Sequence, residues 1–356
     1  MDIVYAVCSW GLGHATRSLP LIRKLIKEDN KLTIVSSGRS LTLLKNELKN
    51  TCKFFDIDDY PMLLSGNSYQ FMAKSLVYWP KFINAIRVGH EKILKIISKV
   101  NYDMVISDGR YDGFSRFLPS FFISHQMRIL NPMRIRSLEN GSETFNKYFL
   151  KYFKSYIVPD FKEDGGLSGE LGHLINKLDK TKIHYVGVLS DFSKKSVKKD
   201  IDYLISITGP EPHRTTLENK ILKQAENLKG NIIATLGKSE SSHFSKNQNI
   251  TTYSYLSKIE RELLLNRAKL VISRSGYSTI LDLAVIESKA LFIPTPGQIE
   301  QEYLASYHNK LGNFYCVEQN KINIIKDVKE AEKRTGITRE CKVEKSVENC
   351  MKVLFS

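Results

Sequence analysis

The chain has little cysteine, and what it has follows no pattern. Its five Cys (Cys8, Cys52, Cys316, Cys341, Cys350) are odd in number, scattered, and free of CxxC or Cys/His spacing. That excludes a disulfide scaffold and a structural zinc site, and it suits a reducing compartment. No apolar run approaches the ~18 residues that span a bilayer, and the opening MDIVYAVCSW lacks the basic lead and cleavage site of a signal peptide. A cytoplasmic protein is expected. The sequence also contains no GxxxxGK[ST], which excludes a P-loop NTPase. A dinucleotide fingerprint would need a third glycine where Thr16 stands and an acid closing the second strand, which instead reads IVSSGRS. Both absences exclude an NAD-dependent dehydrogenase.

Acidic residues are in deficit too: 38 Asp and Glu against 53 Lys and Arg, a formal charge of +15. Such a surface attracts polyanions, whether phosphorylated substrates, anionic lipid or nucleic acid, although a solvated basic surface is the plain alternative. No nucleic-acid reader motif is present, so nucleic acid is set aside.

What is present is alternation. Apolar runs such as DIVYAVC, LTIVSS, KFFDI, DMVISDG and SFFIS are separated by helical patterns. One of these is a long amphipathic stretch around SLVYWPKFINAI, interrupted at Pro80. A Gly-, Asp- and Lys-rich zone from about Asp160 to Asp202 includes KIHYVGVLS, a strand or linker. After it the pattern restarts with DYLISIT, NIIATL, NITTY, KLVIS and KALFIPT. Short apolar strands between helices imply βαβ units on parallel sheets. The fold class is therefore α/β, with two Rossmann-like domains whose parallel sheets face a cleft. The domains expected are 1–187, 188–335 and a final helix within 336–356 that crosses back to the first domain.

Ligands in such sheets bind at the carboxyl ends of strands, where helix N-termini aim amides at anions. Three turns there carry a cation. Gly11-Leu12-Gly13-His14, with Arg17 one turn on, follows the first strand. Gly209-Pro210-Glu211-Pro212-His213-Arg214, then Thr215 and Thr216, follows DYLISIT. Arg274-Ser275-Gly276-Tyr277-Ser278-Thr279 follows KLVIS. A cation at the positive end of a helix is unfavourable unless an anion sits opposite. The three together point to a phosphate-bearing ligand. Taken singly, each reads as a solvated cation.

Residues 272–305, ISRSGYSTILDLAVIESKALFIPTPGQIEQEYLA, resemble the donor-binding core of GT-B nucleotide-sugar glycosyltransferases. The nearest resemblance is to the MurG-like group, which contains the UDP-N-acetylglucosamine transferase that forms lipid II. The GLGHATR and GPEPHR turns and the two-domain layout extend the resemblance. It implies that Ser275, Gly276, Ser278 and Thr279 hold a diphosphate, with Gly209, Arg214 and Arg274 beside them. Asp282, shorter than the usual Glu, receives the ribose hydroxyls. Backbone at Leu256 reads the base, favouring uracil, and Glu300, Gln301 and Glu302 read the sugar. The chain is thus expected to be an inverting hexosyltransferase that needs no metal and no cofactor. The DxD look-alike Asp56-Ile57-Asp58 is read as a strand end and turn.

Such a transfer needs a base for the acceptor hydroxyl. His14 is the candidate, because imidazole titrates near neutrality, with Gly11 and Gly13 letting backbone approach the ligand. A structural or phosphate-contacting role competes. Asp108, ending another strand on the same edge, either orients His14 or is itself the base. His125 is a weaker candidate, read instead as a helix-start residue. The acceptor is expected on the first domain. There, aromatics mix with Lys74, Lys81 and Arg87, and residues 126–154 hold six basic and two acidic side chains, including Arg128, Arg134 and Arg136. That suits a lipid-linked glycan at an anionic membrane surface, with a soluble glycan as the alternative. Two other classes stay open: a nucleotide-sugar epimerase of the same fold, and a non-catalytic polyanion-binding protein.

Overall fold

The structure is a computed structural model that describes residues 1–61, 68–131, 133–238, 244–247 and 249–356, the side chains of 68–77 excepted. The chain divides into two compact units, Met1–Asp191 with Lys342–Ser356, and Phe192–Cys341.

In the first unit the strands are β1 (Asp2–Val7), β2 (Lys31–Ser36), β3 (Cys52–Asp56), β4 (Met104–Asp108), β5 (Ser120–Ile123), β6 (Ser155–Val158) and β7 (Ile183–Tyr185). They form one sheet in the order β3-β2-β1-β4-β5-β6-β7, with every pairing parallel. Its helices are α1 (Gly13–Lys27), α2 (Gly38–Leu48), α3 (Ser68–Ile97), α4 (Arg136–Leu150) and the short α5 (Glu170–His173). Ile3 through Val7 are all buried, as a central strand covered on both faces requires. Chain order reverses between β1 and β4, so the crevice at their carboxyl ends is the switch point where ligands settle in open sheets.

The second unit repeats the plan. Its elements are β8 (Ile201–Ser206), α6 (His213–Ala225), β9 (Ile232–Thr235), β10 (Phe244–Asn247), β11 (Ile250–Tyr253), α7 (Lys258–Arg267), β12 (Ala268–Ser273), α8 (Tyr277–Ile286), β13 (Lys289–Phe292), α9 (Ile299–Lys310), β14 (Tyr315–Cys316) and α10 (Ile324–Glu332). The sheet order is β10-β11-β9-β8-β12-β13-β14. It is parallel except for β10, which pairs antiparallel to β11. Its switch point lies between β8 and β12. The last helix, α11 (Val343–Leu354), belongs to the first unit, where Val347, Cys350, Met351 and Leu354 join the core built on Ile3, Tyr5 and Leu25.

Two local expectations are corrected. Pro80 lies inside α3 without ending it. The lost hydrogen bond and ring clash cost about 3 kcal/mol, while burial of Phe82, Ile86 and Ile93 returns about 1.5–3 kcal/mol each. His125 begins no helix; it sits in the loop after β5, and the next helix starts at Arg136. Among the described residues, no helix is long and apolar enough to cross a membrane.

The cations of residues 126–154 are not all at the surface. Arg128 is buried against Glu139 and Glu143, because an unpaired guanidinium could not stay out of water. Arg134 pairs with Glu139 and Glu170. Arg136 is exposed, as are Lys81 and Arg87, and the side chain of Lys74 lies outside the described residues.

Candidate functional site

At the first switch point, β1 runs into a turn in which Gly11 takes φ +86°, a left-handed conformation that favours glycine. The chain then enters α1 at Gly13, with no acid in the first turn. His14 and Arg17 therefore stand at the positive end of a helix, and the anion that permits this comes from the neighbouring strand. Asp108, at the end of β4 and fully buried, accepts from His14 Nδ1 at 2.8 Å, from Arg17 Nε at 2.9 Å and from Ser18 Oγ at 2.8 Å. Arg17 Nη2 also donates to it. Burial alone would raise the Asp108 carboxyl, but the Arg17 guanidinium and then His14 reverse that and hold it well below the usual carboxylate range. The His14 side chain keeps 20% of its surface exposed while Asp108 keeps 1%. The imidazole is thus part-exposed on a buried, ionised carboxylate.

The fit is close. Gly109 has φ +74°, and a Cβ there would lie 2.7 Å from His14 Cε1 and 2.9 Å from Nδ1. Tyr60 donates its hydroxyl to Gly109 O, and Ser9 N donates to Asp59 at 2.6 Å, tying the turn to the loop after β3. Beside it stands an aromatic wall in which Trp10, Tyr60 and Phe82 meet. His125, 5% exposed, receives Arg17 Nη1 on Nδ1 at 3.0 Å. Sequence reading singled out His14 and Asp108 but gave Arg17 no partner and passed over Gly109. The available signal was the glycine directly after a strand-ending Asp.

At the second switch point the geometry is of another kind. Gly276 is the N-cap of α8. Its N-cap residue supplies no side-chain bond and no acid lies in its first turn. Ser278 and Thr279 are half-buried in that first turn. The Ser275 hydroxyl donates to Gln301 O at 2.8 Å, so the turn is braced on α9. Arg274 is 1% exposed and, among the described residues, binds backbone carbonyls: Ile293 and Pro294 through Nη1 and His213 through Nη2, each at 3.0 Å. Burial pulls its guanidinium down to about 10. Arg274 thus pins the ends of β12 and β13 and the start of α6.

The other expected residues are placed as follows. Gly209 follows β8 at φ +116°, and a Cβ there would lie 3.8 Å from Arg274 Nε. Arg214 is engaged by Glu211 and by Glu218 at 3.1 Å, and Lys238, which sequence reading omitted, shares Glu218 at 2.7 Å. Asp282 is half-buried one turn into α8, and Leu256 is buried just before α7. At the start of α9, Gln301 Oε1 accepts from Thr295 N at 2.9 Å, which leaves its amide nitrogen as the donor facing Gly276. Glu302 accepts from Gly297 N at 2.9 Å, while Glu300 is half-buried.

Comparison with known proteins agrees with both halves. Residues 193–346 match the glycosyltransferase family 28 C-terminal domain and residues 1–130 match glycosyl transferase family 1. A protein of Methanosarcina acetivorans described as an uncharacterized glycosyltransferase is 29% identical over 36% of this chain and 33% of its own length. Another so described, from Methanosarcina mazei, is 25% identical over 88% of this chain and 85% of its own. Among solved structures, the glycotransferase of kitacinnamycin superimposes with a TM-score of 0.65 at 11% identity, covering 99% of this chain and 94% of that one. MurG of Acinetobacter baumannii gives 0.55 at 13% identity over 98% and 94%. A putative UDP-N-acetylglucosamine 2-epimerase from Listeria monocytogenes gives 0.63 at 10% identity over 99% and 94%. At such identities the structural likeness speaks for the fold alone.

Proposed function

We propose that this chain, which belongs to the glycosyltransferases of GT-B type, moves a sugar from a nucleoside diphosphate, UDP in our reading, to an acceptor hydroxyl with inversion. The observation that carries the reading is the part-exposed His14 ring held on buried Asp108 at a strand switch point. In the proposed step, His14 Nε2 takes the acceptor hydroxyl proton. The freed oxygen attacks the anomeric carbon opposite the diphosphate, and the anomeric C–O bond breaks. The nucleoside diphosphate leaves with the electron pair. We assign Asp108 to orienting the ring and offsetting the imidazolium charge, a reading supported by its burial and by the donors on both its oxygens.

The departing diphosphate is matched by the uncapped start of α8, with amides of Gly276, Ser278 and Thr279 and the helix dipole as its counter-charge. That supply of positive potential is why we read the transfer as metal-independent. Asp282 is assigned to the ribose, Leu256 backbone to the uracil edge, and Glu300 and Gln301 to the sugar. On the first unit, Ile83, Val88 and Leu138 are exposed among the exposed Lys81, Arg87 and Arg136. This mixture favours a lipid-linked glycan acceptor at the inner face of an anionic membrane, served by a cytoplasmic, peripheral enzyme.

Thermal-shift measurements across nucleotide sugars test the donor. UDP and one UDP-sugar should raise Tm selectively, and equal shifts with GDP or dTDP donors would remove the uridine assignment. An epimerase would interconvert that UDP-sugar with no acceptor present, whereas a transferase would leave its stereochemistry untouched.

A further inference from the structure

The start of α6 holds an anion that belongs to the chain itself. Glu211, two residues before the helix, reaches onto its first turn. One carboxylate oxygen, Oε1, accepts from Arg214 Nη2 and, at 3.0 Å, from Thr215 Oγ1. The other, Oε2, accepts from Thr215 N at 3.3 Å. A guanidinium, a hydroxyl and a first-turn amide are the donors that a phosphate group takes at a helix N-terminus. Loss of solvent would raise the Glu211 carboxyl, but the bonds from Thr215 and then Arg214 hold it below the usual carboxylate range. The group seated there is therefore charged.

The two acids on Arg214 are held very differently. Glu218 is 8% exposed and takes both Arg214 Nη1, at 3.1 Å, and Lys238 Nζ, at 2.7 Å. The Glu211 side chain keeps 52% of its surface exposed, and an exposed ion pair opens at little cost. Beneath the same turn, two buried groups lack partners. Arg274 and Thr295 are each 1% exposed, and among the described residues Arg274 Nε and Thr295 Oγ1 have no hydrogen-bond partner. They lie 3.8 and 3.6 Å from where a Gly209 Cβ would stand, and Arg274 Nη2 holds the carbonyl of His213, the first residue of α6. Buried polar groups are nearly always paired, so unpaired ones converging on this turn point to a ligand that completes it.

We propose that Glu211 is a built-in competitor: its carboxylate occupies a phosphate subsite at the start of α6, and a phosphate group of the nucleoside diphosphate displaces it. The inference rests on the reading of the second unit as the holder of the diphosphate. Helices α6 and α8 follow β8 and β12, the adjacent strands of its switch point. The start of α8 is open to the ligand, and that of α6 opens only when Glu211 gives way. With Glu211 in place, Arg214 and Lys238 face two carboxylates. With it displaced, one positive charge is left over for the ligand. A phosphate can supply the charge that replaces a carboxylate, and an uncharged nucleoside cannot. Glu211 thus favours the diphosphate over its own nucleoside, at some loss of affinity.

The test is calorimetry on the full chain with inorganic pyrophosphate, UDP, GDP and uridine. Glu211→Gln keeps the size of the side chain and removes its charge. Pyrophosphate and UDP should bind it about fivefold tighter than they bind the unmodified chain, while uridine changes by less than about twofold. Glu226→Gln is the control for net charge. Glu226 is exposed at the other end of α6, about 20 Å along the helix and beyond the ~8 Å screening length. It should move pyrophosphate affinity by less than about 1.5-fold. Unchanged or weaker pyrophosphate binding in Glu211→Gln overturns the proposal, as does an equal gain in Glu226→Gln. Pyrophosphate that binds neither the unmodified chain nor Glu211→Gln overturns it as well. A gain for pyrophosphate with UDP bound no better than GDP would uphold the subsite and remove the uridine reading instead.

Discussion

The two switch points solve opposite problems with similar turns. At the β1–α1 turn His14 and Arg17 both bond the buried carboxylate of Asp108, so this turn holds an anion of its own. At the β12–α8 turn, among the described residues, the N-cap supplies no side-chain bond, the first turn holds no acid, and Arg274 hydrogen-bonds backbone carbonyls. In the proposed reading, the first turn, with its part-exposed imidazole, moves a proton, and the second, at the start of α8, receives an anion. In the proposed reading, two doubly wound units of one plan divide the chemistry, the first moving the proton and the second holding the diphosphate.

The largest expected effect breaks the first side of this contrast. His14→Ala should lower transfer by about 10²–10⁴-fold, the usual worth of a positioned base, while UDP affinity by calorimetry changes less than about twofold. A comparable fall in UDP affinity would mean that the β1–α1 turn also holds the anion, and the division of labour would be lost. Next in size is Gly109→Ala. At φ +74° a methyl group would sit 2.7 Å from the His14 ring, so left-handed strain and displacement of His14 act together. A loss of about 1–3 kcal/mol in denaturant unfolding is expected. An Ala variant with unchanged stability would show that the ring has room to give, and that its present position is not enforced.

Much of this was legible in the sequence because βαβ units write themselves as apolar runs between helical periods, and because switch-point turns must carry Gly and polar residues. Strands with buried faces, such as β1, β4 and β12, were plain. The polar FSKN of β10 was not, since all four residues are exposed on an edge strand and alternation has nothing to report there. Strand β6 was missed because four residues carry too little pattern. His14 and Asp108 could each be suspected as strand-end residues, but their contact spans 94 positions. Only the strand order that sets β1 beside β4 brings them together. For the same reason Arg128 looked like surface charge, since its partners Glu139 and Glu143 lie on a helix that sequence reading did not identify. Charge counts see residues, and burial depends on who meets whom.

The smallest predicted effect sharpens the second side of the contrast, because it moves stability and binding in opposite directions. Gly276→Asp places a good N-cap where α8 has none. The backbone φ of −66° accepts any side chain, and a Cβ there meets nothing nearer than Thr279 Oγ1 at 3.9 Å. The new carboxylate can bond the leading amides and complement the dipole, so the folded state should gain a few tenths of a kcal/mol. If those amides are kept open for a diphosphate, the same carboxylate occupies its place and repels it. UDP affinity should then fall about tenfold or more, about 1.4 kcal/mol, while uridine, which lacks the phosphates, loses far less. A helix N-terminus with no anion to hold would be improved by the substitution in every measurement. A more stable variant with undiminished UDP affinity would therefore show that the missing cap is incidental, and that the diphosphate is held elsewhere.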